Sequence, residues 1–140
     1  MTNTQARKQA RIDILRTLDQ AGLVQGIALT PDQLIAETRT AYWHGIARCQ
    51  IARAKDSYLT FHFPGSPVHT RADDAVFLRE IMIAINVFSK RSFSSEANHK
   101  LLETLEEALT RNGYEVEIAD EIYEEDTALF HYPMTAFKIY

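Results

Sequence analysis

The sequence predicts an α+β fold in a single domain, and three observations predict it. Two stretches, residues 6–21 and 97–112, carry apolar residues at helical spacing. Between and after them come runs of aromatic and β-branched residues bounded by Pro, Gly, Asn and Ser, the pattern of strands closed by turns. The length, 140 residues with 46% hydrophobic and 24% charged, suits one domain with one core over residues 1–140.

The elements follow in order. Ala6, Ala10, Ile14, Leu18 and Ala21 recur at three- and four-residue steps, with Leu15 beside them and Arg7, Lys8, Arg11 and Arg16 elsewhere on the wheel. This is an amphipathic helix ended by Gly22. Thr30-Pro31-Asp32-Gln33 places an N-cap threonine, a proline at the first helical position and a glutamine at the third, which predicts a short helix to about Thr38. Residues 40–55 have mixed character and are not assigned. Tyr58 to Phe63 reads as a strand closed by Pro64-Gly65-Ser66-Pro67, and the next loop, with Asp73 and Asp74, is expected to be exposed.

Phe77 to Phe88 is the strongest strand. Ile81, Ile83, Ile85 and Val87 share one face, while Met82, Ala84 and Phe88 make the other largely apolar, so the strand is expected to be covered on both faces. Ser94 or Ser95 can cap a helix in which Ala97, Leu101, Leu105 and Ala108 form a stripe beside Leu102 and Leu109, ending at Asn112-Gly113. The expected core packs the isoleucine face against Leu101, Leu105 and Leu109. Tyr114 to Ile118 alternates as a strand, an acidic stretch follows, and Leu129 to Tyr140 forms the last strand. Pro133 lacks a donor, which predicts an edge position or a bulge.

Composition narrows the function classes. The longest apolar run, Ile81 to Ile85, is far short of the roughly 18 residues a membrane-spanning helix needs. No signal-peptide core follows the basic N-terminus, so a cytosolic chain is expected. Cys49 is the only cysteine, which leaves no internal disulfide and no thiolate cluster. Net charge is −4 but unevenly spread: residues 1–55 hold eight Lys/Arg against four Asp/Glu, and residues 112–140 hold seven acids against Lys138. Such polarity bears on association between copies of the chain.

Candidate chemistry is sparse. His44, His62, His69, His99 and His131 have no established ligand spacing, and His62 and His131 fit half-buried strand positions better than a metal site. Cys49 reads as a small buried residue before it reads as a nucleophile. Asp73, Asp74, Glu124, Glu125 and Asp126 could gather a divalent cation for a small nuclease or other phosphoryl-transfer enzyme, the alternative function. The lysine common beside such carboxylates is missing from Glu115-Val116-Glu117. There is no phosphate-binding Gly-rich loop, no G-x-S-x-G and no H-E-x-x-H. Arg7, Lys8 and Arg11 offer a third reading, contact with DNA, which a solvated helix face explains better in a chain of net charge −4. No catalytic residue, metal or cofactor is expected.

Two stretches carry a resemblance. One is Asp56-Ser57-Tyr58-Leu59-Thr60-Phe61-His62-Phe63-Pro64 with the later Ile81-to-Lys90 strand and its Val87-Phe88-Ser89-Lys90 ending. The other is Tyr123-Glu124-Glu125-Asp126-Thr127-Ala128-Leu129-Phe130-His131. In this order, with a helix between them, they resemble the small tail-completion or tail-terminator subunits of long-tailed phages and prophages. The likeness covers residues 55–140 and leaves residues 1–55, a helical segment, outside it.

The resemblance implies helices packed on a mainly antiparallel sheet, in a subunit that joins head to tail. Copies would form a ring, a hexamer, that caps the tail tube and docks on the head connector. It implies a place in the virion neck or tail, or in the host cytoplasm during assembly. The expected interface pairs Glu121, Glu124, Glu125 and Asp126 with Arg7, Lys8, Arg48 and Arg53 of a neighbour. No membrane or specific nucleic acid is expected as partner.

Overall fold

Helix α1 (Asn3–Gln20) starts at a capping box. The Thr2 side chain accepts from the Gln5 N–H at 3.2 Å, and the Gln5 side chain accepts from the Thr2 N–H at 2.8 Å. Ala6, Ala10, Ile14, Leu15 and Leu18 are buried along one stripe, as their spacing predicts. Gly22, at φ +74, ends the helix in the left-handed conformation that glycine adopts without steric cost. The computed structural model describes residues 2–22, 41–43, 56–65, 68–72 and 75–140; for 41–43, 65, 68–72 and 75–78 it describes the backbone alone. The helix expected to about Thr38, the Asp73-Asp74 loop and most of the unassigned stretch lie outside the described residues.

Among the described residues seven strands make one sheet: β1 (Ala41–Trp43), β2 (Ser57–Gly65), β3 (Val68–Ala72), β4 (Ala75–Ser89), β5 (Glu115–Ile118), β6 (Ile122–Glu124) and β7 (Leu129–Ile139). The main order is β1-β2-β4-β7-β5, with β3 paired to β4 and β6 to β7. Of these strands, β1 and β2 pair in parallel and the other described pairs are antiparallel. With a second helix, α2 (Glu96–Arg111), the chain is a single α+β domain of helices beside a mixed, mainly antiparallel sheet. β2 runs through Pro64 and Gly65, and the register shifts between His62 and Gly65, so the expected stop at Pro64 is a bulge.

Register assigns the faces. Leu59 and Phe61 of β2, Ile81, Ile83, Ile85 and Val87 of β4, and Met134 and Ala136 of β7 share one face, and all are buried. They form one core with Ile14, Leu15 and Leu18 of α1 and Leu102, Leu105 and Leu109 of α2. Burial of each such aliphatic side chain contributes about 1.5 to 3 kcal/mol. The opposite face of β4 is less covered than expected. Phe88 is buried there, but Met82, Ala84 and Asn86 are half-buried.

The stripe of α2 is rotated from the expected one. Asn98, Leu102, Leu105, Ala108 and Leu109 are buried, Leu101 is half-buried and Ala97 faces water. The cause is polar. Asn98 donates to Ser89 Oγ at 2.8 Å and to the Arg91 and Ser92 carbonyls at 3.0 and 3.2 Å, while Ser57 Oγ donates to its Oδ1 at 3.0 Å. A buried amide so satisfied fixes which side of the helix turns inward. Ser95 occupies the N-cap position without a side-chain cap bond. The helix ends in a Schellman motif: Tyr114 N–H donates to Leu109 O at 3.0 Å and Gly113, at φ +86, to Thr110 O at 3.1 Å.

β7 is not an edge strand, which corrects the reading of Pro133. Tyr140 exchanges two 2.8 Å backbone bonds with Arg79, so even-numbered residues of β7 direct their N–H and C=O groups to β4 and odd-numbered ones to β5 and β6. Pro133 accepts from Ala119 N–H at 3.1 Å on that second side. Its missing donor therefore faces the break between β5 and β6, where no ladder bond is lost.

Candidate assembly interface

The stretches that carry the resemblance meet in one row of the sheet. Ser57 of β2 pairs with Ser89 of β4, Ser89 with Phe130 of β7, and Phe130 with Tyr123 of β6. On the face away from the helices, Tyr58, Phe88 and His131 stack in sequence, with ring centroids 5.1 and 4.6 Å apart. Offset aromatic pairs of this kind contribute about 0.5 to 1.5 kcal/mol beyond area burial. His131 Nε2 lies 2.7 Å from Asn86 Oδ1, and Nδ1 lies 3.6 Å from Glu124 Oε2. At the margin, Lys90 N–H donates to the Asp56 carbonyl at 3.0 Å and Lys90 Nζ lies 3.8 Å from Asp56 Oδ1. That ion pair is exposed and contributes little to stability.

The acidic residues are not equivalent. Glu121 Oε1 accepts from Phe93 N–H at 2.6 Å and from Ser92 Oγ at 3.0 Å, so its carboxylate ties the loop before α2 to the break between β5 and β6. Glu124 is half-buried, held by His131 and by Thr127 Oγ1 at 3.0 Å. Glu125 and Asp126 are exposed on the four-residue turn into β7, which closes through Ala128 at φ +56. Of the four expected interface acids, these two present their charge outward most fully. Beside them, Ile118, Ile122 and Tyr123 are 41, 50 and 52% exposed. Exposed apolar residues flanked by acids on a sheet edge suit a docking margin.

Two of the expected basic partners, Arg7 and Lys8, lie on α1 and not beside the acidic turn in sequence or in the sheet. Arg7 lies over the Phe63 ring, its guanidinium carbon 6.0 Å from the centroid, toward the end of β2 opposite Ser57. Lys8 is exposed, and Thr4, Arg7, Lys8 and Arg11 line a shallow open depression. Arg48 and Arg53 lie outside the described residues.

A second polar cluster went unread in the sequence. Asp13 of α1 accepts from Tyr140 Oη at 2.5 Å and from Gln9 Nε2 at 3.0 Å, and Lys138 Nζ approaches it to 3.5 Å. Lys138 Nζ also lies 5.1 Å from the centroid of the buried Tyr114 ring. Burial pushes the Tyr114 and Tyr140 hydroxyls above the ordinary tyrosine range. For Tyr140 the neighbouring Tyr114 and the hydrogen bond to Asp13 add to the rise; for Tyr114 the Asp13 charge adds to it. Both hydroxyls stay protonated near neutrality, which fits a latch between α1 and the chain's last residues. The one available signal was an acid three residues after Ala10 and four before the buried Thr17, on the border of the apolar stripe.

Among the described residues no three His, Cys, Asp or Glu side chains gather as a metal site. His62 is half-buried on β2 and His99 is exposed on α2. His44 and Cys49 lie outside the described residues, as do Asp73 and Asp74, and of His69 only the backbone is described. No described helix is long and apolar enough to cross a membrane. No family model matches the chain, and a search of curated proteins gives no match.

Proposed function

We propose that this chain is a structural subunit of a long-tailed phage or prophage, a tail terminator or head–tail joining protein. Copies form a ring, a hexamer, that caps the tail tube and docks on the head connector, in the virion neck and, during assembly, in the host cytoplasm. The observation that carries the reading is the convergence of the resembling stretches. Residues 56–64, 81–90 and 123–131, distant in sequence, meet in one row beside an acidic turn and an open sheet edge. Their side chains are spent on stacking and on tying backbone, and the outward groups next to them are those of a contact surface. Glu125 and Asp126 steer a basic partner, since rim charges act mainly on orientation and association rate.

Electron microscopy of tail tubes assembled with and without the purified chain tests the proposal. A ring seated on one end of each tube is the expected result. Tubes that never carry the chain at their ends would overturn it.

A further inference from the structure

We infer that copies join head to tail by strand pairing, the β5–β6 edge of one copy taking β1 of the next. This rests on the reading above that the chain self-assembles, and it names the joint. The main path of the sheet ends on two different strands, β1 and β5, with β6 continuing the β5 side along β7. Contacts between unlike surfaces are head to tail, and they close into rings when the rotation permits. Strand polarity also fits. β2 and β7 run the same way, because both are antiparallel to β4; β1 is parallel to β2 and β5 antiparallel to β7. In a sheet continued from copy to copy in one sense, β1 therefore meets β5 antiparallel.

The β5–β6 edge is prepared to receive a strand. Ala119 N–H points to Pro133 of β7, so along β5 the alternate residues Glu115 and Glu117 also face β7, while Val116 and Ile118 direct their backbone groups away from it. Ile122 and Glu124 stand opposite odd-numbered residues of β7 in the same way, which turns the Tyr123 backbone outward. The exposed side chains of Ile118, Ile122 and Tyr123 supply apolar contact along this edge. Charge selects the occupant. Residues 114–128 contain seven acids and no Lys or Arg, whereas residues 39–55, which bracket β1 in the sequence, contain Arg39, Arg48, Arg53 and Lys55 and no acid. A second copy thus carries, in the sequence around β1, charge opposite to that of the receiving edge. An unpaired edge is a template for strand addition, and opposite charges fix its register.

The test is Ile118→Pro. Proline removes an outward N–H that bonds to none of the described residues, so the variant should keep its fold while the receiving edge is blocked. Sedimentation velocity compares wild type, the variant and mixtures of both. The wild type should form a closed oligomer and the variant should self-associate at least about tenfold more weakly. Because the variant still offers β1, a minor fraction of it should cut wild-type rings into short open chains, which a two-fold symmetric contact would not do. If circular dichroism shows the proline variant unfolded, Glu115→Lys with Glu117→Lys, both exposed, replaces it with the same expected loss. A folded variant that assembles like wild type overturns the edge joint alone. A wild type that stays monomeric overturns both the joint and the self-assembly on which it rests.

Discussion

At its C-terminal end β7 leads to a latch on α1, made by Asp13, Tyr140 and Lys138. At its start it meets β6 and the acidic turn through His131 and Glu124. The first cluster joins residues 127 positions apart, and its groups are spent inside the molecule. The second links near neighbours and leaves Glu125, Asp126, Ile122 and Tyr123 exposed beside it. Polar residues at one end thus tie α1 to β7, while those at the other border exposed acidic and apolar side chains. Substitutions at the two ends should separate accordingly, stability from assembly.

The largest loss of stability is expected away from both ends, in the core they share. Ile83 is fully buried, and Ile83→Ala should cost about 2 to 5 kcal/mol in denaturant unfolding. An unchanged midpoint would remove β4 from the core. Next comes the latch. Asp13→Ala leaves the Tyr140 hydroxyl and the Lys138 ammonium without their carboxylate, and should cost about 1 to 3 kcal/mol. A neutral result would make the latch incidental.

Alkaline titration sharpens the same point. Tyr114 and Tyr140 titrate above the ordinary tyrosine value of about 10 in the folded chain, so above that pH the unfolded chain has released protons that the folded one retains. Their contribution is fully present below pH of about 10 and is lost as pH rises beyond it. Tyr140→Phe should make that decline shallower, and an identical decline would detach Tyr140 from it. The smallest folding effect belongs to the turn. Glu125→Lys with Asp126→Lys should change stability by less than about 0.5 kcal/mol while weakening assembly, most at low salt. Glu124 is left intact because it holds His131 and Thr127. Equal assembly by the double variant at every salt concentration would reduce the turn to a solvated loop.

Periodicity made much of this fold legible. The alternation from Ile81 to Val87 identifies the core face of β4, because successive strand residues point to opposite faces, and the helical spacing before Asn112-Gly113 locates α2 with its buried Leu105 and Leu109. What escaped was set by partners distant in sequence. Asn98 turned α2 inward through hydrogen bonds to Ser89 and the 91–92 backbone, so Ala97 faces water although its spacing fits the stripe. Pro133 suggested an edge, but a missing donor can also face a gap between two partner strands, and only pairing decides. The acidic turn stood out by composition, yet composition did not distinguish Glu121, bound to Phe93, from the exposed Glu125.

Native mass spectrometry of the wild-type chain over a range of concentrations at low ionic strength tests whether copies close into a ring. One discrete closed oligomer, six copies by the resemblance, is the expected result, in place of a ladder of open chains. A strict monomer at every concentration, with or without tail tubes, would contradict it.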